Sequence, residues 1–203
     1  MKTLLILLDF IPVILFTLAG IHLLRSLYDR SSKGAFALLS SGVIIIIASG
    51  IYKSLYKLLY YTNICDFEIL NKCFFPMQST GFLLVGIGML ALMLFKQPAS
   101  LPLLTIIPLY TSSMPFVFMT LIGTTLLWLP LSYYAHKSKH KLTSILFIIS
   151  YILLLTMGYL STKNFELDII NLIAELVNIV AQLCFYIGIK DMHNNVWIEK
   201  ELY

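Results

Sequence analysis

Read for hydrophobic continuity, the chain falls into seven apolar runs, at residues 3–26, 34–60, 74–95, 98–111, 114–134, 142–161 and 167–190, separated by charged or turn-forming residues. A helix crossing a bilayer core needs about 20 mainly apolar residues, and all runs but the fourth reach that length. The fourth covers 14 residues and carries Pro98, Pro102 and Pro108, which marks it as a short crossing or a re-entrant connector. The pattern predicts an all-α, polytopic bundle of seven transmembrane helices. With such short connections, residues 1–203 are expected to form a single integral membrane domain, with no room among them for a soluble domain.

Composition agrees with the pattern. The chain is 59% hydrophobic and 12% charged, against about 25% charged in an ordinary soluble domain. The first 20 residues are apolar enough for a signal peptide, but Asp9 and Pro12 interrupt the stretch and no A-x-A site follows, so the run is expected to stay as a helix. The net charge of +4 comes from scattered Lys and Arg. It bears on orientation in the membrane and gives no sign of nucleic-acid binding.

Charge also arbitrates the fourth run. With seven crossings and the N-terminus outside, the cytoplasmic face collects Arg25, Arg30, Lys33, Lys96, Lys137, Lys139, Lys141, Lys190 and Lys200, nine of the fourteen basic residues. Lys2, Lys53, Lys57, Lys72 and Lys163 fall toward the exterior. Without the fourth crossing, the HKSKHK loop at 136–141 would move to the face opposite Arg25, Arg30 and Lys33, which the positive-inside rule disfavours. The expected topology is therefore N-out and C-in, in the cell (plasma) membrane.

A repeat fits the same topology. PVILFTLAG at 12–20 and PFVFMTLIG at 115–123 share Pro, Thr, Leu and Gly at identical spacing, followed by Leu23-Leu24 and Leu126-Leu127. Each is followed by a basic loop and a run with a glycine near its far end, Gly50 in one and Gly158 in the other. Runs one to three would then recur as five to seven, with the fourth restoring orientation, a parallel-repeat plan used by transporters. The third and seventh runs do not align. In topology this 3+1+3 order resembles the PQ-loop (SWEET-like) sugar facilitators, and the seven crossings resemble microbial opsins. The Pro-Gln dipeptide is absent, since the chain has Pro76-Met77-Gln78, and the only lysine of the seventh run is Lys190 at its inner end, where a retinal-linking lysine would stand mid-helix. No site residue is carried over from either family.

The seventh run holds the main chemical signal. At 100° per residue, Asp168, Asn171, Glu175, Asn178, Gln182 and Tyr186 fall within about 80° of one another. Such a stripe cannot face lipid, because each unpartnered polar group there costs several kcal/mol. A shorter stripe on the second run comprises Ser49, Lys53, Tyr56, Lys57 and Tyr60. Asp9 lies roughly 9 Å into the first run at 1.5 Å per residue, and Gln78 and Glu175 come to a similar outer-half depth.

Intramembrane ionisable residues are functional candidates by default. The sequence therefore predicts a ligand-binding site made by Asp9, Lys53, Gln78, Glu175, Asn178 and Gln182, opening outward. In it Asp9 and Glu175 compensate Lys53, and Asn178 and Gln182 extend the lining toward the bilayer centre. Lys57 reads as a side chain snorkelling to the outer headgroups, and the two amides also read as ordinary interhelical bonding.

Other candidates carry less. His22 faces away from Asp9 and reads as a helix-contact residue. His136 and His140, at i and i+4 within HKSKHK, lack a third ligand and an acid, so no metal site is expected. Cys65 and Cys73 bracket a loop and read either as a disulfide or as two apolar fillers. No G-x-S-x-G motif or phosphate-cradling glycine loop occurs, and the four His residues are too scattered for an intramembrane zinc hydrolase, so the residues favour a non-enzyme over an enzyme and no cofactor is expected.

The leading expectation for function is binding and translocation of a small polar or cationic solute. The alternatives are a sensor or receptor-like subunit that binds a ligand or proton without transport, and an accessory subunit. Expected partners are the lipid bilayer, the solute or cation, and a homo- or hetero-oligomeric neighbour.

Overall fold

The computed structural model describes residues 2–62, 64–94, 114–160 and 168–197. Six α-helices account for nearly all of them: α1 (Lys2–Leu27), α2 (Lys33–Tyr61), α3 (Glu68–Leu94), α4 (Met114–Lys137), α5 (Lys141–Leu160) and α6 (Asp168–Asp191), followed by a π-helical turn at Met192–Trp197. The protein is all-α. Among the described residues, five helices (α1, α2, α3, α4 and α6) are long and apolar enough to cross a membrane, and α5 adds a shorter apolar helix. These features describe an integral membrane protein.

Five of the predicted runs become helices whose ends move by at most three residues. The third starts at Glu68 instead of 74, because its first turns are polar but still helical. Glu68 sits in the first turn, where the helix dipole favours an acid, and pairs with Lys72 one turn on at 2.9 Å. The run at 98–111 lies outside the described residues, so the described helices number six where seven were predicted. Local chemistry sets other ends: Ser32 caps α2 by accepting the Ala35 amide at 3.2 Å. The α4–α5 turn closes with His140 N–H donating to Ala135 O at 3.0 Å and Lys139 at φ 66°.

Side-chain pairs give the order of packing. The α1–α2 pair is antiparallel, with Gly20 against Val43 and the Ser54 hydroxyl donating to the Asp9 carbonyl at 3.2 Å. The α2–α3 pair is antiparallel through Gly42 and Gly81. By contrast α3 and α4 run parallel, since Phe75 meets Phe116, Ser79 meets Thr120 and Phe82 meets Trp128. The α4–α5 and α5–α6 pairs are antiparallel, through Ser132–Ser144 and Ser150–Ala181. Finally α6 runs parallel to α1, with Phe16 on Phe185 and Ser26 on His193. The six helices thus close a ring in chain order. Both parallel seams, α3–α4 and α6–α1, join the first three helices to the last three.

Glycine makes two of these seams possible. A methyl group at Gly42 would stand 2.7 Å from Gly81 O and 2.8 Å from Val85 N, so α2 and α3 touch through their backbones. On α3–α4, a methyl at Gly86 would come within 2.8 Å of Gly123 O. Without a hydrophobic drive between helices in lipid, such close approach is what supplies the packing. Gly86→Leu is therefore expected to pry α3 from α4 and lower stability by about 1–3 kcal/mol, the usual cost of overpacking. Thermal unfolding of the purified protein in detergent measures it.

The ring is filled by aromatic side chains. Phe16 (α1), Phe82 (α3), Trp128 (α4) and Phe185 (α6) form a closed circuit, with centroid separations of 6.4, 6.0, 4.6 and 5.9 Å taken in order around it. Trp128 is held by its indole N–H, which donates to the Ser150 hydroxyl at 2.9 Å; that hydroxyl in turn donates to Ala181 O at 2.8 Å. One relay therefore ties α4, α5 and α6 and fixes the indole plane.

Candidate functional site

Helical spacing decides which residues face the ring interior above this aromatic layer. On α1 the face at i, i+3, i+4 and i+7 is Asp9, Pro12, Val13 and Phe16; on α3 the face at i, i+4 and i+8 is Phe74, Gln78 and Phe82. α2 contributes Ile46, Ile47, Gly50, Lys53 and Ser54, and α6 contributes Glu175, Asn178 and Gln182. Together with Leu154 and Met157 of α5 they enclose a cavity of about 70 Å³, room for a few waters at about 10–15 Å³ each. All six predicted site residues, Asp9, Lys53, Gln78, Glu175, Asn178 and Gln182, line it.

At its head stands an ion cluster. Lys53 Nζ lies 3.1 Å from Glu175 Oε1; Lys57 Nζ lies 3.0 Å from the same oxygen and 2.8 Å from Asp9 Oδ1. Asp9 and Glu175 are each 4% exposed. The lysines come from the first three helices and Glu175 from the last three, so the cluster bridges the two halves of the ring. Two ammonium groups and two carboxylates balance in charge, as burial requires.

Lys57 corrects the sequence reading. It does not reach for headgroups; it is the hub that holds both carboxylates, and Asp9 is balanced by Lys57, not directly by Lys53. The signal was present in the sequence, because Lys57 follows Lys53 by one turn on the same face. Lys53 also lies over the Phe74 ring, 5.4 Å from its centroid.

Three acceptors at this site, Asp9 Oδ2, Glu175 Oε2 and Gln182 Oε1, are buried with no donor among the described residues, and the Asp9 and Glu175 carboxyls also stand within hydrogen-bonding reach of each other. A buried acceptor without a donor costs about 1–3 kcal/mol. The cavity wall thus presents these open acceptors beside the polar side chains of Lys53, Ser54, Gln78 and Asn178, with Phe16 and Phe82 among its apolar residues.

The opposite end of the ring carries the basic residues Arg25, Arg30, Lys33, Lys137, Lys139, Lys141 and Lys190. Here too the halves are joined: Ser26 Oγ meets His193 Nδ1 at 2.6 Å, and Arg30 donates to the Trp197 carbonyl. His22 packs on Tyr186 and His193, a helix-contact position. His140 Nδ1 lies 3.5 Å from Asp191 Oδ2, and no cluster of three metal-ligating residues occurs among the described residues. Cys65, Cys73 and Cys184 are free thiols, so the loop between the first two is not bridged. Asn171 of the predicted stripe follows the face of α6 beyond the cavity lining, and Asp168 opens that helix.

Comparison with family models, with curated proteins and with solved structures finds no match to this chain.

Proposed function

We propose that this protein binds a small polar or cationic solute at an intramembrane site between two three-helix halves and carries it across the membrane. The observation that supports the reading most is the acceptor-rich cavity, to which residues distant in sequence contribute and in which an ion cluster joins the halves. A structural ion pair alone needs neither the space nor the unsatisfied oxygens beside it.

The ring order supports rocking of α1–α3 against α4–α6. In ring order α1, α2 and α3 stand across from α4, α5 and α6, an order compatible with the parallel repeat proposed here. The aromatic circuit spans the same division, with Phe16 and Phe82 from one half and Trp128 and Phe185 from the other, so separating the halves would open it. Pro12, Pro76 and Pro130 lie within α1, α3 and α4, where each removes one backbone bond and eases bending.

Seven crossings with the N-terminus outside complete this reading. Because α3 and α4 are parallel, Leu94 and Met114 lie at opposite ends of the ring, and a further crossing at 98–111, outside the described residues, is part of this proposal. With the basic end cytoplasmic and the molecule in the cell membrane, the cavity lies toward the exterior. The 3+1+3 resemblance to PQ-loop facilitators belongs to this proposal.

Flux measured in proteoliposomes holding only this protein tests it. Saturable uptake of a small amine or polyol, lost in Glu175→Gln, is the expected result. Binding without flux would favour a sensor, to which the closed aromatic circuit is also suited. Neither binding nor flux would leave an accessory subunit.

A further inference from the structure

The geometry points to a primary ammonium group as the ligand of this cavity, with the side chain of Lys53 as its tethered competitor. The inference rests on the solute-binding reading above and narrows the solute to one chemical class.

The first argument is the inventory of open valences. Asp9 Oδ2, Glu175 Oε2 and Gln182 Oε1 are acceptors, and each belongs to a residue at least 94% buried that lines the cavity. A primary ammonium is the complementary group, with three donors and no lone pair. An anion would have to take an ammonium from the carboxylates that already hold it, since Lys57 is bonded to both acids and Lys53 to Glu175. A hydroxyl solute would bring two lone pairs for every donor into a wall already rich in acceptors.

The second argument is that the protein itself seats a cation here. Lys53 Nζ lies against Glu175 Oε1 and over the face of Phe74, a carboxylate and a ring together, which is how ammonium groups are recognised. Phe16 and Phe82 offer further ring faces along the cavity. Lys53 and Lys57 differ in attachment. Lys57 is bonded to both carboxylates, whereas Lys53 makes one ion pair, with Glu175 alone; the two side chains are about equally exposed.

Charge completes the argument. With both acids ionised and both lysines seated the cluster is neutral, so a bound cation would add an uncompensated buried charge unless one ammonium left. Lys53 is the one placed to leave. Entry of the ligand and withdrawal of Lys53 are then one exchange, in which Glu175 passes from a tethered cation to a diffusible one. This also loosens one of the two contacts that Glu175 makes across the halves.

The experiment uses the full chain in lipid nanodiscs, with radiolabelled methylammonium as probe and urea as the neutral comparison. Wild type is expected to bind methylammonium saturably and urea not at all. In Lys53→Met the competitor is gone; if Lys53 holds the site about nine-tenths of the time, affinity for methylammonium rises about tenfold. Lys53→Arg keeps a cation on the tether, so any gain in methylammonium affinity is expected to fall well short of that in Lys53→Met. Methylammonium affinity unchanged in Lys53→Met overturns the competitor role. Urea binding in place of methylammonium overturns the ammonium class while the polar-solute reading stands, and binding of neither probe overturns both. The wild-type comparison of the two probes decides the class even if Lys53→Met does not fold.

Discussion

Glu175→Ala is expected to destabilise the protein by about 3 kcal/mol, the lower end of the range for breaking a buried ion pair by removing one partner. The lower end applies because the two lysines keep partial contact with solvent, at 22% and 24% side-chain exposure. Removing the carboxylate leaves two ammonium groups with only Asp9 to answer them, and it deletes the ionic link between α2 and α6. Thermal unfolding in detergent reads the stability, and solute binding is expected to vanish in the same variant. The charge argument makes a sharper demand on the double variant. Lys53→Met combined with Glu175→Ala removes one charge of each sign, so it is expected to be more stable than the sum of the two single losses. Strict additivity would show that Lys53 and Glu175 do not act as a pair.

The second large effect is expected at Phe185. Its ring touches three others, Phe16 at 5.9 Å, Trp128 at 4.6 Å and Phe147 at 6.1 Å, so Phe185→Ala empties the middle of the molecule. A loss of about 3–5 kcal/mol is expected from the missing contacts and the void. The functional consequence is distinct. An aromatic constriction excludes water, and opening it should let solute leak through, on the order of tenfold above the wild-type background. Flux in proteoliposomes, measured with no solute gradient beyond that of the tracer, separates leak from carriage. An unchanged leak in a folded variant would mean that the circuit is packing and no barrier.

Much of this architecture was readable from periodicity. The polar stripe on the last helix placed Glu175, Asn178 and Gln182 on one face, and depth alone matched them with Asp9, Lys53 and Gln78; all six meet at one cavity. Ring order was not readable, because hydropathy marks a helix as apolar without saying which neighbour it meets. Nor was the pairing of Gly42 with Gly81 and of Gly86 with Gly123, because a glycine in an apolar run does not say which helix it will touch. Lys57 was misplaced because a lysine near a helix end ordinarily extends toward headgroups; here two buried carboxylates offer a better partner. The aromatic circuit was invisible because Phe and Trp in a Leu-rich chain carry no period that separates a plug from filler. The early start of α3 escaped because hydropathy finds where a helix enters lipid, and Glu68 to Cys73 are helical before that point.

That the charge balance draws on both the first and the last helix also bears on synthesis. As a nascent chain emerges, α1 and α2 bring one acid and two lysines to the cavity end of the ring, and the remaining carboxylate arrives only with α6, 118 residues after Lys57. Until then α2 carries a surplus cation that the translocon, water or lipid phosphate must accommodate. Insertion of α6 is thus the step that locks the membrane-embedded fold, and a product truncated before residue 168 would lack both its counter-charge and its closing wall.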